Sequence, residues 1–454
     1  MAERKEADKN KGQAPRTGRL ARGAVAGAAV ARMGAARLAH QVSGLARPAA
    51  EQAAARAEHE QRLGRILFGA LNQLKGTALK AAQLLSLEMG LLPEGLRRQL
   101  AQAHHQATPL NRALVLKLMK QEFGRGPEAL FAQFQPQAFA AASLGQVHEA
   151  RSFAGERLAV KLQYPGMAAA VDSDLRLLAG LLRPLGAGLN LALPDEALTR
   201  GVLEQLRARL LEELDYEREA RELAWFGARM QALPDLVLPR VHTALSSARV
   251  LSMDHLDGLH LEPWLATAPS QAQRDRMGQL LLDSFMLGLT RLRRIQADPH
   301  PGNYLFMPDG RLGLLDFGRT LALDGEFLPQ LARAWAARLD GDTAGHLAAY
   351  QRLGMVDPEL GPRAFRERLM PALAPLLDWQ LLPWRGEHFD FASLPPPPTM
   401  APDAHRVALA HLRAVPPELP FVDRAYLGLV QMLRQLGARV RTGNPWAALA
   451  REIL

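Results

Sequence analysis

Two prolines and a glycine sit inside the six-residue string Asp298-Pro-His-Pro-Gly-Asn303, which forces a tight loop with a carboxylate at one end and a carboxamide at the other. Tyr304 to Met307, a Pro308-Asp-Gly310 turn, and Arg311 to Leu315 then read as two strands of a hairpin. The hairpin delivers a second carboxylate, Asp316, in Asp316-Phe-Gly318. A fold that carries this string must hold a loop, a short hairpin and an apolar-flanked aspartate in one fixed order.

The order D-x-x-x-x-N, hairpin, D-F-G is the form of a kinase catalytic loop followed by its metal-binding aspartate. Phosphoryl transfer needs one carboxylate to orient or deprotonate the acceptor, here Asp298. It also needs oxygen ligands that hold Mg²⁺ against the phosphates, here Asn303 and Asp316. Upstream, Lys161 closes Leu158-Ala-Val-Lys161, a strand with an ammonium at its end, the arrangement in which a lysine meets the α- and β-phosphates of ATP. Such a lysine needs a glutamate from a helix, and Leu211-Glu-Glu-Leu-Asp-Tyr-Glu-Arg-Glu-Ala220 offers several; Asp215 and Glu219, four apart, share a helical face. The same acidic run also suits a solvated surface.

A Gly-rich loop is expected before Lys161 and is not there. The segment reads Phe139-Ala-Ala-Ala-Ser-Leu-Gly-Gln-Val-His148 instead. Methyl groups stand where glycine hydrogens let backbone amides approach phosphate closely.

The remaining sequence frames these strings. The 454 residues suffice for a bilobal fold with extensions, and 48% apolar with 22% charged residues is ordinary for a globular chain. There is no cysteine, so disulfides, thiolate nucleophiles and Cys-type zinc sites are excluded. Of the net charge of +9, the residues before Pro48 carry +7, ten Lys/Arg against Glu3, Glu6 and Asp8. A basic arm suits an anionic lipid surface or nucleic acid, and also a solvated tail. Gly23 to Ala31 is too short and too weakly apolar to span a bilayer, though Gly23 and Gly27 have the spacing that lets helices approach closely.

Residues 1–18 read as disordered, and 20–59 as Ala-rich helix with a break at Pro48. Helices are predicted over 61–90, with Leu67, Leu71, Leu74, Ala78 and Leu85 at helical spacing, and over Arg112 to Phe123. Strands are predicted at 145–150, 157–163, 237–241 and 249–253, then mostly helix after Glu262, with Pro395 to Pro398 an exposed loop. Helices, then strands, then helices is α+β organisation.

With these strings in place, the chain resembles the UbiB/AarF/ADCK atypical kinase-like family over nearly everything after about residue 60. Ala140, Ala141, Ala142 and Ser143, followed by Leu144 to His148, are similar to that family's alanine-rich nucleotide loop. Lys161-Leu-Gln-Tyr-Pro-Gly166 and Asp172-Ser-Asp174 extend the likeness, and Pro416-Pro-Glu418, Arg424 and Gly428 fit its C-terminal helical region. Glu213-Leu-Asp215 resembles its E-x-D motif, which makes Glu219 the ion-pair partner of Lys161. The K-x-G-Q motif appears as Lys80-Ala-Ala-Gln83, with Ala82 where glycine is usual.

The resemblance implies an α+β, bilobal protein-kinase-like fold with an N-terminal helical extension. Its parts are a basic arm over 1–59, an extension over 60–138 carrying Lys80 and Gln83, an N-lobe over 139–258 and a C-lobe over 259–454. It implies ATP or ADP with Mg²⁺, occlusion of the peptide groove, and ATP hydrolysis or a lipid-like acceptor rather than protein phosphorylation. The partners implied are isoprenoid or quinone-pathway lipids, an anionic membrane surface on the cytoplasmic face of the inner membrane, and biosynthetic enzymes. A nucleotide-sensing scaffold with little turnover is the alternative reading of the same residues. Nucleic-acid binding has only the basic pI behind it, and no motif.

Overall fold

A computed structural model describes residues 19–44, 51–74, 77, 80–81, 111–142, 144–189, 196–398 and 402–451. The chain forms two compact units, Met1–Ala220 with Val241–His255, and Arg221–Arg240 with Leu256–Leu454.

The first unit holds helices α1 (Arg19–Gly44), α2 (Gln52–Leu74), α3 (Arg112–Phe123), α4 (Met167–Leu189) and α5 (Glu196–Glu213) with an antiparallel sheet, and α6 (Tyr216–Arg229) begins there. The sheet is built from β1 (Gln133–Phe134), β2 (Ala140–Ala142), β3 (Gly145–Arg151) and β4 (Arg157–Gln163). After β5 (Leu236–Val237), which belongs to the other unit, β6 (Val250–Asp254) returns to complete it. The order is β1-β3-β4-β6, with β2 paired to β3. Strand β4 is flanked on both edges, which buries every residue from Leu158 to Gln163. One apolar core runs from the helices to the sheet, through Met33, Leu67, Leu71, Met119, Leu178 and Leu210 to Val160 and Leu162.

Local signals explain several boundaries. The Asn111 side chain accepts the Leu114 backbone N–H at 3.0 Å, and Gly124 ends α3 at φ +70°. Three expectations need correction. Helix α2 starts at Gln52 rather than Gln61, because nothing from Gln52 to Leu63 interrupts a helix and His59 is buried within it. In α1 the buried face is Val25, Ala26, Ala29, Met33 and Ala36, while Gly23 and Gly27 are exposed with no atom near their Cβ positions. Those glycines mediate no helix contact among the described residues. The strand expected over 237–241 is only Leu236–Val237, with Val241 left as an isolated bridge to Met253; Pro239 lies between and has no N–H to give a ladder.

The second unit is mainly helical: α7 (Leu261–Ala266), α8 (Gln271–Met286), α9 (Phe327–Leu339), α10 (Thr343–Arg352), α11 (Met370–Leu381), α12 (Pro402–His411), α13 (Leu419–Leu436) and α14 (Pro445–Arg451). Its strands are short. β7 (Arg294–Gln296) pairs with β10 (Thr320–Ala322), β8 (Tyr304–Phe306) with β9 (Leu312–Leu314), β5 with β9, and β11 (His388–Asp390) with β12 (Arg439–Arg441). The β8–β9 hairpin turns at Gly310, at φ +80°, and the Asp309 carboxylate accepts the Arg311 N–H at 3.1 Å. Pro395 to Pro398 form no regular element, and Pro395 to Pro397 are exposed. No described helix is long and apolar enough to cross a membrane.

Candidate functional site

Lys161 is buried at the middle of the sheet, where β4 pairs it with Val147 on one side and Leu251 on the other. Its Nζ donates to Glu219 Oε1 at 2.8 Å and Oε2 at 2.9 Å, and it lies 5.0 Å from the centroid of the Tyr216 ring. An ammonium and a carboxylate buried together hold each other in the charged state, and the bidentate geometry fixes where Nζ points.

Glu219 arrives there because of how α6 starts. Asp215 stands just before the helix and accepts the Arg218 N–H on Oδ1 at 2.8 Å, while its own carbonyl accepts the Glu219 N–H at 3.0 Å. Asp215 is therefore the cap of this helix and does not share a helical face with Glu219, as the four-residue spacing had suggested. Gln163, two residues beyond Lys161, donates its side-chain amide to the Leu214 carbonyl at 2.8 Å, tying the strand to the cap.

Glu213, the last residue of α5, meets Lys80 Nζ at 3.2 Å, with both side chains largely buried. Asp174 is fully buried and accepts the Thr77 hydroxyl, whereas Asp172 pairs with Arg207 at the surface. Ala82 and Gln83 lie outside the described residues.

The alanine string is one arm of a hairpin rather than a loop. Ala140, Ala141 and Ala142 pair with Val147, Gln146 and Gly145, and Ser143 lies outside the described residues. A Cβ on Gly145 would fall 2.3 Å from the Leu162 carbonyl oxygen and 2.8 Å from the Tyr216 hydroxyl, so only glycine fits there. His148, fully buried, contacts the Gln135 carbonyl through Nδ1 at 2.8 Å and the Gln146 amide through Nε2 at 2.6 Å. A neutral ring with its proton on Nδ1 satisfies both partners, and burial pushes the imidazole pKa down.

In the second unit the Asp298–Asn303 string closes around one carbonyl. The Asp298 carbonyl accepts Asn303 Nδ2 at 2.9 Å and Gln296 Nε2 at 2.7 Å, and Gln296 also approaches the Asp316 carbonyl at 3.4 Å. His300 Nδ1 accepts the Gly302 N–H at 3.0 Å, which shapes the turn at Pro301–Asn303. Leu315 donates to the Asn303 carbonyl at 2.9 Å, so the hairpin returns beside the loop that launched it. Asp316 Oδ1 accepts the Gly318 N–H at 2.9 Å, and Phe317 is fully buried against Phe226, ring centroids 4.7 Å apart. Asp298, Asn303 and Asp316 are thus brought into one loop cluster, and Arg424 Nη2 donates to Asp298 Oδ1 at 3.1 Å.

Sequence reasoning passed over Gln296 and Gly145. Gln296 has no motif to mark it, only its place two residues before Asp298; Gly145 lay in the alanine-loop string, but its steric role did not show.

The donors in this cluster suit a hard cation. Among the described residues no three or more His, Asp or Glu are arranged to hold a metal on their own. Asn303 has its amide nitrogen on the Asp298 carbonyl, which turns Oδ1 away from it, and Asp316 supplies a carboxylate. One or two protein oxygens, with phosphates and water completing the shell, is how Mg²⁺ is usually bound in phosphoryl-transfer sites.

A strand lysine locked to a helix glutamate, and a D-x-x-x-x-N loop running through a hairpin to D-F-G, define a kinase-like protein of α+β architecture. The hairpin of alanines in place of a Gly-rich loop sets it apart from conventional protein kinases. The chain belongs to the ABC1 atypical kinase-like domain family, whose model matches residues 102–349, more than half of the sequence. It is 31% identical over 271 residues to the mitochondrial atypical kinase COQ8B of Rattus norvegicus, covering 59% of this chain and 50% of that protein. It is 30% identical over 261 residues to the mitochondrial atypical kinase COQ8 of Saccharomyces cerevisiae, covering 57% and 50%. The chain therefore spans about half the length of these curated relatives. Among solved structures, Rv3197 of Mycobacterium tuberculosis in complex with erythromycin superposes with a TM-score of 0.60 at 26% identity, over 88% of this chain and 97% of that one.

Proposed function

We propose that this protein is an ATP-binding atypical kinase or ATPase that supports isoprenoid-lipid or quinone biosynthesis at a membrane surface. The observation that carries the nucleotide reading is the buried Lys161–Glu219 pair, a fixed ammonium of the kind that neutralises phosphate oxygens. In this reading Glu219 holds Lys161 in place, Asn303 and Asp316 bind Mg²⁺, and Asp298 orients or deprotonates the acceptor. Magnesium, when bound, supplies charge neutralisation at the phosphates. Ala140, Ala141, Ala142 and Ser143 cover the nucleotide, their methyl groups favouring ADP and restraining transfer. Lys80 and Gln83, in an extension over residues 60–138, act as a regulatory set with Glu213 and Asp215 of an N-lobe over 139–258, and a C-lobe follows over 259–454.

The lipid and membrane parts rest on the family and on the +7 charge of residues 1–47. The names of the rat and yeast relatives place those proteins in mitochondria.

The test is phosphate release from ATP by the full chain, with and without vesicles containing phosphatidylglycerol and a polyisoprenoid lipid. Release that rises with the vesicles and disappears in Asp316→Asn is expected. Tight nucleotide binding without release in any condition would leave the nucleotide-sensing scaffold, a reading the alanine arm Ala140–Ala142 favours.

A further inference from the structure

We infer that Arg424 on helix α13 is a positioning residue for Asp298, and that this helix is the mount on which the catalytic loop is aligned. The inference rests on the proposed role of Asp298 and goes beyond it by assigning what aims the carboxylate.

Two amides, from Gln296 and Asn303, hold the Asp298 carbonyl at 2.7 and 2.9 Å. They fix the backbone but leave rotation about the side-chain bonds. The carboxylate takes its direction from elsewhere, and the Arg424 guanidinium reaches Oδ1 at 3.1 Å. A charge-assisted bond to one oxygen restrains the rotamer and so biases how the carboxylate is presented. Both side chains are about one-quarter exposed, so the pair is neither a freely solvated surface contact nor a sealed core one.

A second contact makes the arrangement rigid. Gly428, four residues after Arg424, lies on the same face of α13. A Cβ there would fall 2.3 Å from Pro299 Cγ and 2.4 Å from Pro299 Cβ. The helix therefore touches the loop at two successive residues, through charge at Asp298 and through bare backbone at Pro299. Between these two positions the helix is anchored by Tyr426, whose hydroxyl donates to the Gln380 carbonyl at 2.7 Å and accepts from Trp384 Nε1 at 3.0 Å. A helix held this way gives Arg424 a fixed base from which to meet the carboxylate.

The test is a double-mutant cycle on the full chain, reading kcat for ATP turnover and, separately, ATP affinity. Arg424→Gln is expected to lower kcat by roughly tenfold to a hundredfold, the cost of a misaimed group, with ATP affinity held within about twofold. Arg424→Lys, which keeps the charge and loses the guanidinium geometry, is expected to fall between. In an Asp298→Asn background, Arg424→Gln is expected to lower the residual turnover no further, because there is no longer a carboxylate to aim. If Arg424→Gln has no cooperative melting transition, Arg424→Lys is carried through the same cycle with the same expected non-additivity.

Parental kcat in Arg424→Gln overturns the inference. So does an equal loss in both backgrounds, the signature of a structural role. If Asp298→Asn turns over ATP as well as the parent does, the functional reading itself fails, and the inference with it.

Discussion

Lys80 and Glu213 meet at 3.2 Å, and two residues after Glu213 the chain caps the helix that carries Glu219 to Lys161. Seven residues, from Glu213 to Glu219, thus link Lys80 to Lys161 within one unit. A disturbance at Lys80 has a short route along the chain to Lys161, with an ion pair at each end. The family's E-x-D string acquires two separate mechanical parts: an ion pair at its first position and a helix cap at its third.

Lys80→Ala removes the ammonium that meets the Glu213 carboxylate, 7% exposed, at 3.2 Å. Breaking a largely buried pair by removing one partner is expected to cost about 3 kcal/mol. Nucleotide affinity should fall with it. Urea denaturation and nucleotide titration check both, and an unchanged denaturation midpoint would refute the coupling.

Asp215→Ala removes the cap from α6 and is expected to cost about 1 kcal/mol, whereas Asp215→Asn and Asp215→Ser, which also accept at an N-cap, should keep most of it. A role for the Asp215 charge toward nucleotide would predict instead that Asn and Ser are as damaging as Ala. Comparing melting temperatures with nucleotide affinity separates the two.

Gly145→Ala places a methyl against the Leu162 carbonyl, a backbone atom that cannot swing aside. An overpacking cost of about 1–3 kcal/mol is expected, with displacement of the β2–β3 hairpin. Weakened binding of both ATP and ADP in a thermal-shift titration is the readout. By contrast, replacing Ala140, Ala141 and Ala142 with glycine removes methyls and should favour ATP over ADP; equal shifts for the two nucleotides would count against a covering role for these alanines.

His346 gives the second unit an acid sensitivity. It is 2% exposed, packed edge-on against Tyr350 and Phe365, and burial, aided by nearby Arg338, pushes its pKa down to about 4. The native state therefore holds the ring neutral, while the unfolded chain takes a proton below its ordinary value of 6.5. Its contribution is complete above pH 6.5 and is lost as the pH falls towards 4, on the order of 3 kcal/mol over that window. His346→Leu should flatten the fall in stability between those pH values. A variant whose profile matches the parent's would show that other groups govern it.

Much of the fold was legible in short-range patterns. The strand Arg157–Gln163 and the helix Arg112–Phe123 lie where the sequence placed them, because Leu158, Ala159, Val160 and Leu162 are buried in β4 and α3 has Asn111 and Gly124 at its ends. The β8–β9 hairpin was legible for the same reason, since a Pro-Asp-Gly turn specifies it locally. The three-residue strands β7, β10, β11 and β12 were not, since each exists only through a partner far along the chain. The packing face of α1 was misjudged because small residues at i and i+4 mark a possible contact, while burial depends on which face the neighbouring helices cover.

The sequence by itself determined the chemistry on offer: a strand lysine, acidic candidates for its partner, and a carboxylate–carboxamide loop ahead of D-F-G. Those follow from residue type and spacing, which are local. Only the tertiary structure decided how the acidic run divides its work, with Glu219 on Lys161, Glu213 on Lys80 and Asp215 on backbone N–H groups. It also decided that Arg424, distant in sequence, reaches Asp298. Charges and amides are satisfied by whatever the packing brings within about 3 Å, and sequence separation sets no limit on that.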